Sequence, residues 1–172
     1  QLTEEDTVLV FAKSKAVPKL KRLFESKLNI KTIFNILAAM LVITGLSMII
    51  PAIIAWGYGE SDLSGHLKSL LICIILGTPV WLITRKSKSL NSKDGFAIVT
   101  LAWILIAFAG ALPFYFSGSI PNITDAWFES MSGVTTTGAS ILGDINTLPH
   151  LANGIESLPH GVLFWRSFIQ WI

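Results

Sequence analysis

The sequence predicts an all-α membrane protein: two N-terminal transmembrane helices, then one repeat of helix, re-entrant loop and helix, the last helix only begun. Three observations carry that prediction. The 172 residues are 52% hydrophobic and only 14% charged, with a mean hydropathy of +0.62, whereas about a quarter of the residues in a soluble domain carry charge. Three apolar runs are long enough to cross a hydrocarbon core of about 30 Å. Between the third run and the next apolar segment lies Ser132-Gly133-Val134-Thr135-Thr136-Thr137-Gly138-Ala139, a polar string preceded by an amphipathic stretch too short to span. The net charge of +2 says little, because the charges are segregated along the chain; no nucleic-acid partner and no bound cofactor are expected. Cys73 is the sole cysteine, so neither a disulfide framework nor a cysteine metal site can be built.

Residues 1 to 30 have soluble character and are expected to form a cytoplasmic leader. Glu4, Glu5 and Asp6 lead into Val8-Leu9-Val10-Phe11-Ala12, which reads as a buried strand. Pro18 suits the first turn of a helix, with Val17, Leu20, Leu23 and Phe24 at helical spacing and Lys19, Lys21 and Arg22 facing away. One strand and one helix cannot bury a core alone. The chain has no initiator Met, and its basic leader feeds a 24-residue apolar run, longer than the roughly 7 to 15 residues of a signal-peptide core. It ends at Ile172 inside an apolar segment. Both ends read as cut, and the chain as a fragment of something longer.

Residues 31 to 93 hold two spans and a basic loop. Ile33 to Trp56 is uncharged over 24 residues and forms the first span. Trp56 and Tyr58 sit at its end, where aromatic rings favour the interface, and Pro51 is expected to bend its last turns. Leu67 to Thr84 is the second span; Lys68 near its start can snorkel to the interface, and Gly77-Thr78-Pro79 is expected to interrupt it. The basic loop Arg85-Lys86-Ser87-Lys88-Ser89-Leu90-Asn91-Ser92-Lys93 follows.

Residues 94 to 172 form the repeat. Phe96 to Phe116 is uncharged throughout and is the third span. Over 122 to 132, Asn122 or Thr124 caps a short helix with Asp125 in its first turn and Ala126, Trp127, Phe128 and Met131 on its apolar face. About ten residues make only about 15 Å of helix, half the core thickness, so this element lies on the surface or re-enters. Gly133 is expected to end it, and Gly143 to Pro159 is a polar, turn-rich connection. From His160 the chain turns apolar again through Val162, Leu163, Phe164, Trp165, Phe168, Ile169 and Trp171, interrupted by Arg166, which reads as the first half of a fourth span.

Charge asymmetry sets the orientation. Of 13 Lys and Arg, seven precede the first span (Lys13, Lys15, Lys19, Lys21, Arg22, Lys27, Lys31) and four occupy the loop between spans two and three (Arg85, Lys86, Lys88, Lys93). Those segments are placed in the cytoplasm. The other side holds Glu60, Asp62, Asp125, Glu129, Asp144 and Glu156, with Lys68 and Arg166 its only basic residues. The short helix and the threonine string therefore face outside.

The string reads as an ion selectivity filter. Three consecutive threonines are unusual in a spanning helix, because β-branching and hydroxyls favour extended backbone that can point carbonyls at a cation. Gly138 allows backbone angles closed to residues with a Cβ. Span, short re-entrant helix, extended polar string, span is the order of a pore-loop cation channel. The negative end of the short helix near Ser132 would point into the membrane and favour a cation there. Irregular backbone at membrane depth is tolerated only when packed in protein or lining a water-filled path, and a filter meets that condition.

Two segments carry a family resemblance. Asp125-Ala126-Trp127-Phe128-Glu129-Ser130-Met131-Ser132-Gly133-Val134-Thr135-Thr136-Thr137-Gly138-Ala139-Ser140, followed by Leu163-Phe164-Trp165-Arg166-Ser167-Phe168-Ile169-Gln170-Trp171, resembles the first pore repeat of the TrkH membrane subunits in the Trk/Ktr/HKT potassium transporter superfamily. The similarity extends back through Ser92-Lys93-Asp94-Gly95-Phe96 and covers about residues 30 to 172. The resemblance implies two extra N-terminal helices and four pore repeats in one chain, of which only the first is present. It implies potassium uptake across a bacterial or archaeal inner membrane, by a multi-pass protein that forms a homodimer and sits on a nucleotide-sensing TrkA-type ring. It also implies one marker glycine per filter segment, here Gly138, with the Thr135, Thr136, Thr137 and Gly138 carbonyls coordinating potassium. Such a segment is one quarter of a coordination cage. Residues 1 to 25, through Glu4-Glu5-Asp6-Thr7-Val8-Leu9-Val10-Phe11-Ala12 and Lys19-Leu20-Lys21-Arg22-Leu23-Phe24, resemble the end of a TrkA-type C-terminal domain, which implies a tandem fusion of regulator and pore.

Glu129 and Arg166 are expected on the same side of the membrane, with Arg166 bracing the short helix through Glu129; the plainer reading lets each reach vestibule water. His66, His150 and His160 lack metal-ligand spacing and read as solvated turn residues, Cys73 as a small buried packing residue, and Trp56, Trp103, Trp127, Trp165 and Trp171 as interface or packing residues. A serine hydrolase built on Ser132 or Ser140 is disfavoured, because no Gly-x-Ser-x-Gly elbow surrounds either. A non-conducting membrane assembly module is the remaining alternative.

Overall fold

The structure is a computed structural model, and it describes residues 27–85, 90–142 and 155–171. The strand expected at Val8 to Ala12, the helix after Pro18 and His150 lie outside the described residues. Among the described residues every regular element is helical. Six α-helices follow in order: α1 Ile30–Ser47, α2 Ile49–Tyr58, α3 Leu63–Thr84, α4 Ser92–Phe116, α5 Ile123–Val134 and α6 His160–Phe168, the last prolonged by a 3₁₀ turn Ile169–Trp171. Three stretches are long and apolar enough to cross a membrane: Ile30–Tyr58, Leu63–Thr84 and Ser92–Phe116. Their outer faces carry Phe34, Ile43, Ile53, Leu71, Ile75, Ile83, Phe96 and Val99, all large, apolar and exposed, as lipid contact requires. The chain is a multi-pass membrane protein.

The first span is two helices rather than one bent helix. Met48 interrupts it as a turn. Pro51 has no N–H to offer the Ser47 carbonyl, so the ladder opens there. The Met48 amide turns back to Gly45 O at 3.0 Å, and Ser47 Oγ donates to Thr44 O at 2.6 Å. The second span begins one turn earlier than expected, at Leu63, and is not interrupted: α3 runs on through Pro79. Gly77 packs there instead of breaking the helix. A Cβ on it would lie 2.7 Å from Val42 Cγ2 and 3.1 Å from Ala38 O, so its bare backbone lets α1 and α3 cross closely. Cys73 is buried beside Gly45 at the same crossing.

One end of the bundle gathers the basic segments. Asp94 has no exposed surface; its Oδ2 accepts from the Asn91 amide at 3.0 Å, closing the N-terminus of α4, and its Oδ1 accepts from the Asn29 amide at 2.7 Å, closing that of α1. Asn35 Nδ2 donates to Trp81 O at 3.1 Å and Thr84 Oγ1 at 3.0 Å. Lys27, Lys31, Arg85 and Lys93 thus share one end, as the charge argument requires.

At the opposite end α4 turns tightly into α5. Ile120 N donates to Phe114 O at 3.1 Å, and Gly118 takes a left-handed φ of +78°. From there α5 runs back beside α4: Ser130 meets Gly110, and Val134 packs against the cluster of Ile98, Ala102 and Ile106 at the middle of α4. Twelve residues, about 18 Å, thus end at half the depth of a spanning helix. The N-cap is Asn122, whose side chain accepts from Thr124 N at 2.9 Å.

His66 departs from the solvated-turn reading. It and Asp62 have no exposed surface, because α3 starts early enough to carry His66 inward. His66 Nδ1 lies 3.1 Å from Asp62 O and 3.7 Å from Asp62 Oδ2. Desolvation raises the Asp62 carboxyl above its ordinary 3.8, against the opposing pull of His66. The folded chain therefore keeps a proton that the unfolded chain has released. This contribution to stability is full below pH 3.8 and is lost as pH rises through the higher folded value. Thermal unfolding followed by tryptophan fluorescence should show the midpoint falling across that window, and Asp62→Asn should remove that part of the fall.

Candidate functional site

The threonine string begins at the C-terminus of α5, and its first residues form a helix stop. Thr136 N donates to Gly133 O at 2.9 Å, and Thr137 N to Ser132 O at 3.0 Å. This is the paired bonding of a Schellman motif, which satisfies carbonyls that the helix end would orphan. The motif needs a left-handed residue after the cap, and that residue is Thr136, at φ +55°. Thr136 is therefore not extended, contrary to the argument from β-branching. Gly133 does not end the helix, which continues to Val134.

Gly133 has a different task. A Cβ there would run into Ile169 and come within 3.3 Å of Arg166 Nη1, so its absence lets α6 approach α5. Gly110 does the same on α4, since a Cβ would meet Ile169 and Ser130. Trp165 is fully buried and donates from Nε1 to Gly110 O at 2.9 Å. The segment expected as half a span is therefore packed into the angle between α4 and α5.

Beyond Thr136 the chain is irregular from Thr137 to Ser140, with Gly138 at φ +78°. Thr135, Thr136, Thr137 and Gly138 are all exposed, and the Thr135 and Thr137 hydroxyls lie 2.8 Å apart. The far end of the string is fastened. Ser132 Oγ donates to Ala139 O. Ser140 Oγ donates to Glu129 Oε1 and the Ile141 amide to Glu129 Oε2, both at 2.9 Å. Arg166 Nε donates to Glu129 Oε1, and its Nη2 lies 3.4 Å from Ala139 O. Glu129 is wholly buried, and the Arg166 side chain is 11% exposed.

Sequence reasoning singled out Thr135 to Gly138, Glu129 and Arg166, and the fold brings all six into one neighbourhood. It missed Ser132, Ala139, Ser140 and Ile141 as fastening points. In a continuous helix seven residues would set Ser132 and Ala139 two turns and about 10.5 Å apart, so only the reversal at the left-handed Thr136 explains how the two meet. The hydroxyls of Ser132 and Ser140 are both engaged in holding the string.

The sequence profile of TrkH, described as a cation transport protein, matches residues 64–172. The chain belongs to the TrkH family. It is 38% identical over 147 residues to the Trk system potassium uptake protein TrkH of Escherichia coli K12, covering 84% of this chain and 28% of that protein. An uncharacterized cation transporter of Methanocaldococcus jannaschii is 34% identical over 149 residues, covering 86% of this chain and 29% of that one. The fold is similar to the crystal structure of the potassium transporter TrkH from Vibrio parahaemolyticus, with a TM-score of 0.72 and 32% identity over 84% of this chain and 29% of that chain. The chain thus spans under a third of the length of these TrkH relatives.

Two outcomes are expected at this site. Breaking a buried pair from one side leaves an unpaired charge, so Arg166→Ala should lower stability by about 3 to 5 kcal/mol, measured by equilibrium unfolding in detergent micelles. Thr136→Gly removes a left-handed Cβ and should raise stability by about 1 kcal/mol in the same assay.

Proposed function

We propose that this chain supplies the first pore repeat of a TrkH-type potassium uptake protein, with potassium as its transported substrate. Thr135, Thr136, Thr137 and Gly138 line one quarter of the filter with backbone carbonyls, and Glu129 and Arg166 brace it. The observation that carries the reading is the half-depth helix α5, whose C-terminal turn releases an exposed, irregular polar segment pinned at its far end to a buried Glu129. The negative end of α5 favours a cation beyond its last turn, and backbone of this kind at membrane depth serves a water-filled path.

In this reading residues 31 to 93 are two peripheral helices and their cytoplasmic loop, and 94 to 172 are the first repeat. Three further repeats of the full-length chain complete the cage. The protein lies in the inner membrane as a homodimer, with the basic end of the bundle facing a TrkA-type nucleotide-sensing ring. Residues 1 to 30 are a cytoplasmic leader, the end of a TrkA-type regulatory domain joined in tandem. No chemical step is assigned to the chain, in keeping with relatives named as transporters.

Gly138→Ser adds a side chain where φ is +78°, a conformation that glycine adopts without strain. In vesicles holding the full-length protein, this variant should lose potassium over sodium preference while still inserting into the membrane. An unchanged flux ratio would refute the filter reading, and absence of potassium flux through the unaltered full-length protein would favour a non-conducting assembly module.

A further inference from the structure

The N-terminus of α6 is clasped by residues 100 positions earlier in the chain. Glu60 follows α2 by one left-handed glycine, Gly59, at φ +69°. Its Oε2 accepts from the His160 amide at 2.8 Å, and its Oε1 lies 2.7 Å from His160 Nδ1. The His160 ring stacks on Tyr58, with centroids 4.0 Å apart and 1° between planes. Gly161 completes the clasp: a Cβ on it would meet Asp62 Oδ2 and lie 3.0 Å from Pro51 O and 3.1 Å from Ala55 Cβ. The first amides of a helix have no partner within it, and the positive end of its dipole favours a carboxylate. Glu60 answers both needs from another element.

Six residues along the same helix stands Arg166. Nine residues of α-helix form a rod of about 13.5 Å, so a shift or rotation at His160 is delivered to Arg166. The Arg166 contact to Ala139 O, at 3.4 Å, is near the outer limit of a hydrogen bond. A displacement of a few tenths of an ångström decides whether it exists.

We propose that Glu60 is a positioning residue for the selectivity filter: by holding the His160 amide and imidazole it sets the axial position of α6, and with it the reach of Arg166 to Glu129 and Ala139. The inference rests on the reading of Thr135 to Gly138 as the filter. It gives the two helices ahead of the repeat a part in transport, because the residue that aligns the brace belongs to the turn between them.

The test is the potassium-to-sodium flux ratio of the full-length protein in vesicles, for Glu60→Ala, Glu60→Gln, Arg166→Lys and the double variant Glu60→Ala with Arg166→Lys, alongside Gly138→Ser. Glu60→Ala should lower the ratio by about threefold or more. Glu60→Gln, which keeps an acceptor for the His160 amide, should recover most of it. In the Arg166→Lys background Glu60→Ala should change nothing further, because residues acting through one another do not combine independently. A lowered melting temperature with an unchanged ratio in Glu60→Ala, or effects of Glu60→Ala and Arg166→Lys that multiply, would overturn the inference. If Glu60→Ala does not fold, His160→Ala, which removes the imidazole that Glu60 holds, carries the comparison: it should lower the ratio, and an unchanged ratio would overturn the inference. Loss of preference in Gly138→Ser without loss in Glu60→Ala would leave the filter reading standing and sink this inference alone; no loss in Gly138→Ser would sink both.

Discussion

A carboxylate without contact with water costs several kcal/mol unless donors surround it, and Glu129 is such a group. Its three donors come from two separate segments: the Arg166 guanidinium on α6, and the Ser140 hydroxyl and Ile141 amide at the end of the threonine string. Because none of these can leave without leaving the buried Glu129 charge less well compensated, α5, α6 and the end of the threonine string are held as one unit. The small residues around them follow from this. Gly110 and Gly133 lack the side chains that would keep α6 and its 3₁₀ turn away, and Ile169 fills the space they open, while Trp165 ties its indole to Gly110 O. The string itself is fastened at both ends, by the Schellman turn at Thr136 and by the Glu129 cluster, and is left exposed between them.

The long elements were legible in the sequence because they depend on hydropathy alone. Runs such as Phe96 to Phe116 have no polar competitor, and the starts of α3 and α4 were each placed four residues late, because the polar first turns Leu63 to His66 and Ser92 to Gly95 carry no hydropathy signal. The short helix was legible from its length, its Asn122 cap and its apolar face. The details that escaped are those in which a local signal was overruled by a neighbour. Gly77 and Pro79 look like a break when α3 is read alone, yet against α1 the glycine is a crossing point. Gly133 looks like a terminator for the same reason, and Ile169 and Arg166 show why it is not.

His66 was misjudged because its polarity suggested water, whereas helix geometry places it inward beside Asp62. Thr136 marks the limit from the other side. No propensity scale places a β-branched residue at a left-handed helix stop, so its role appears only when the bonds to Ser132 and Gly133 are seen. Residue types and spacing could nominate Glu129 and Arg166; the participation of the Ile141 amide, a backbone group, has no signature in side-chain identity.

The double use of Asp94 bears on how the chain comes together as it is made. The hairpin of α1, α2 and α3 precedes α4 in the chain, and its crossings at Gly45 and Gly77 involve only its own residues. Until α4 arrives, the Asn29 amide at the start of α1 lacks the carboxylate that later accepts from it. Asp94, in the first turn of α4, supplies that acceptor while completing its own helix start, so the incoming span is both registered and locked by a single side chain. The first and third spans are thereby held in one register at the basic end of the bundle by a single carboxylate, so loss of that one side chain would loosen two helix starts at once.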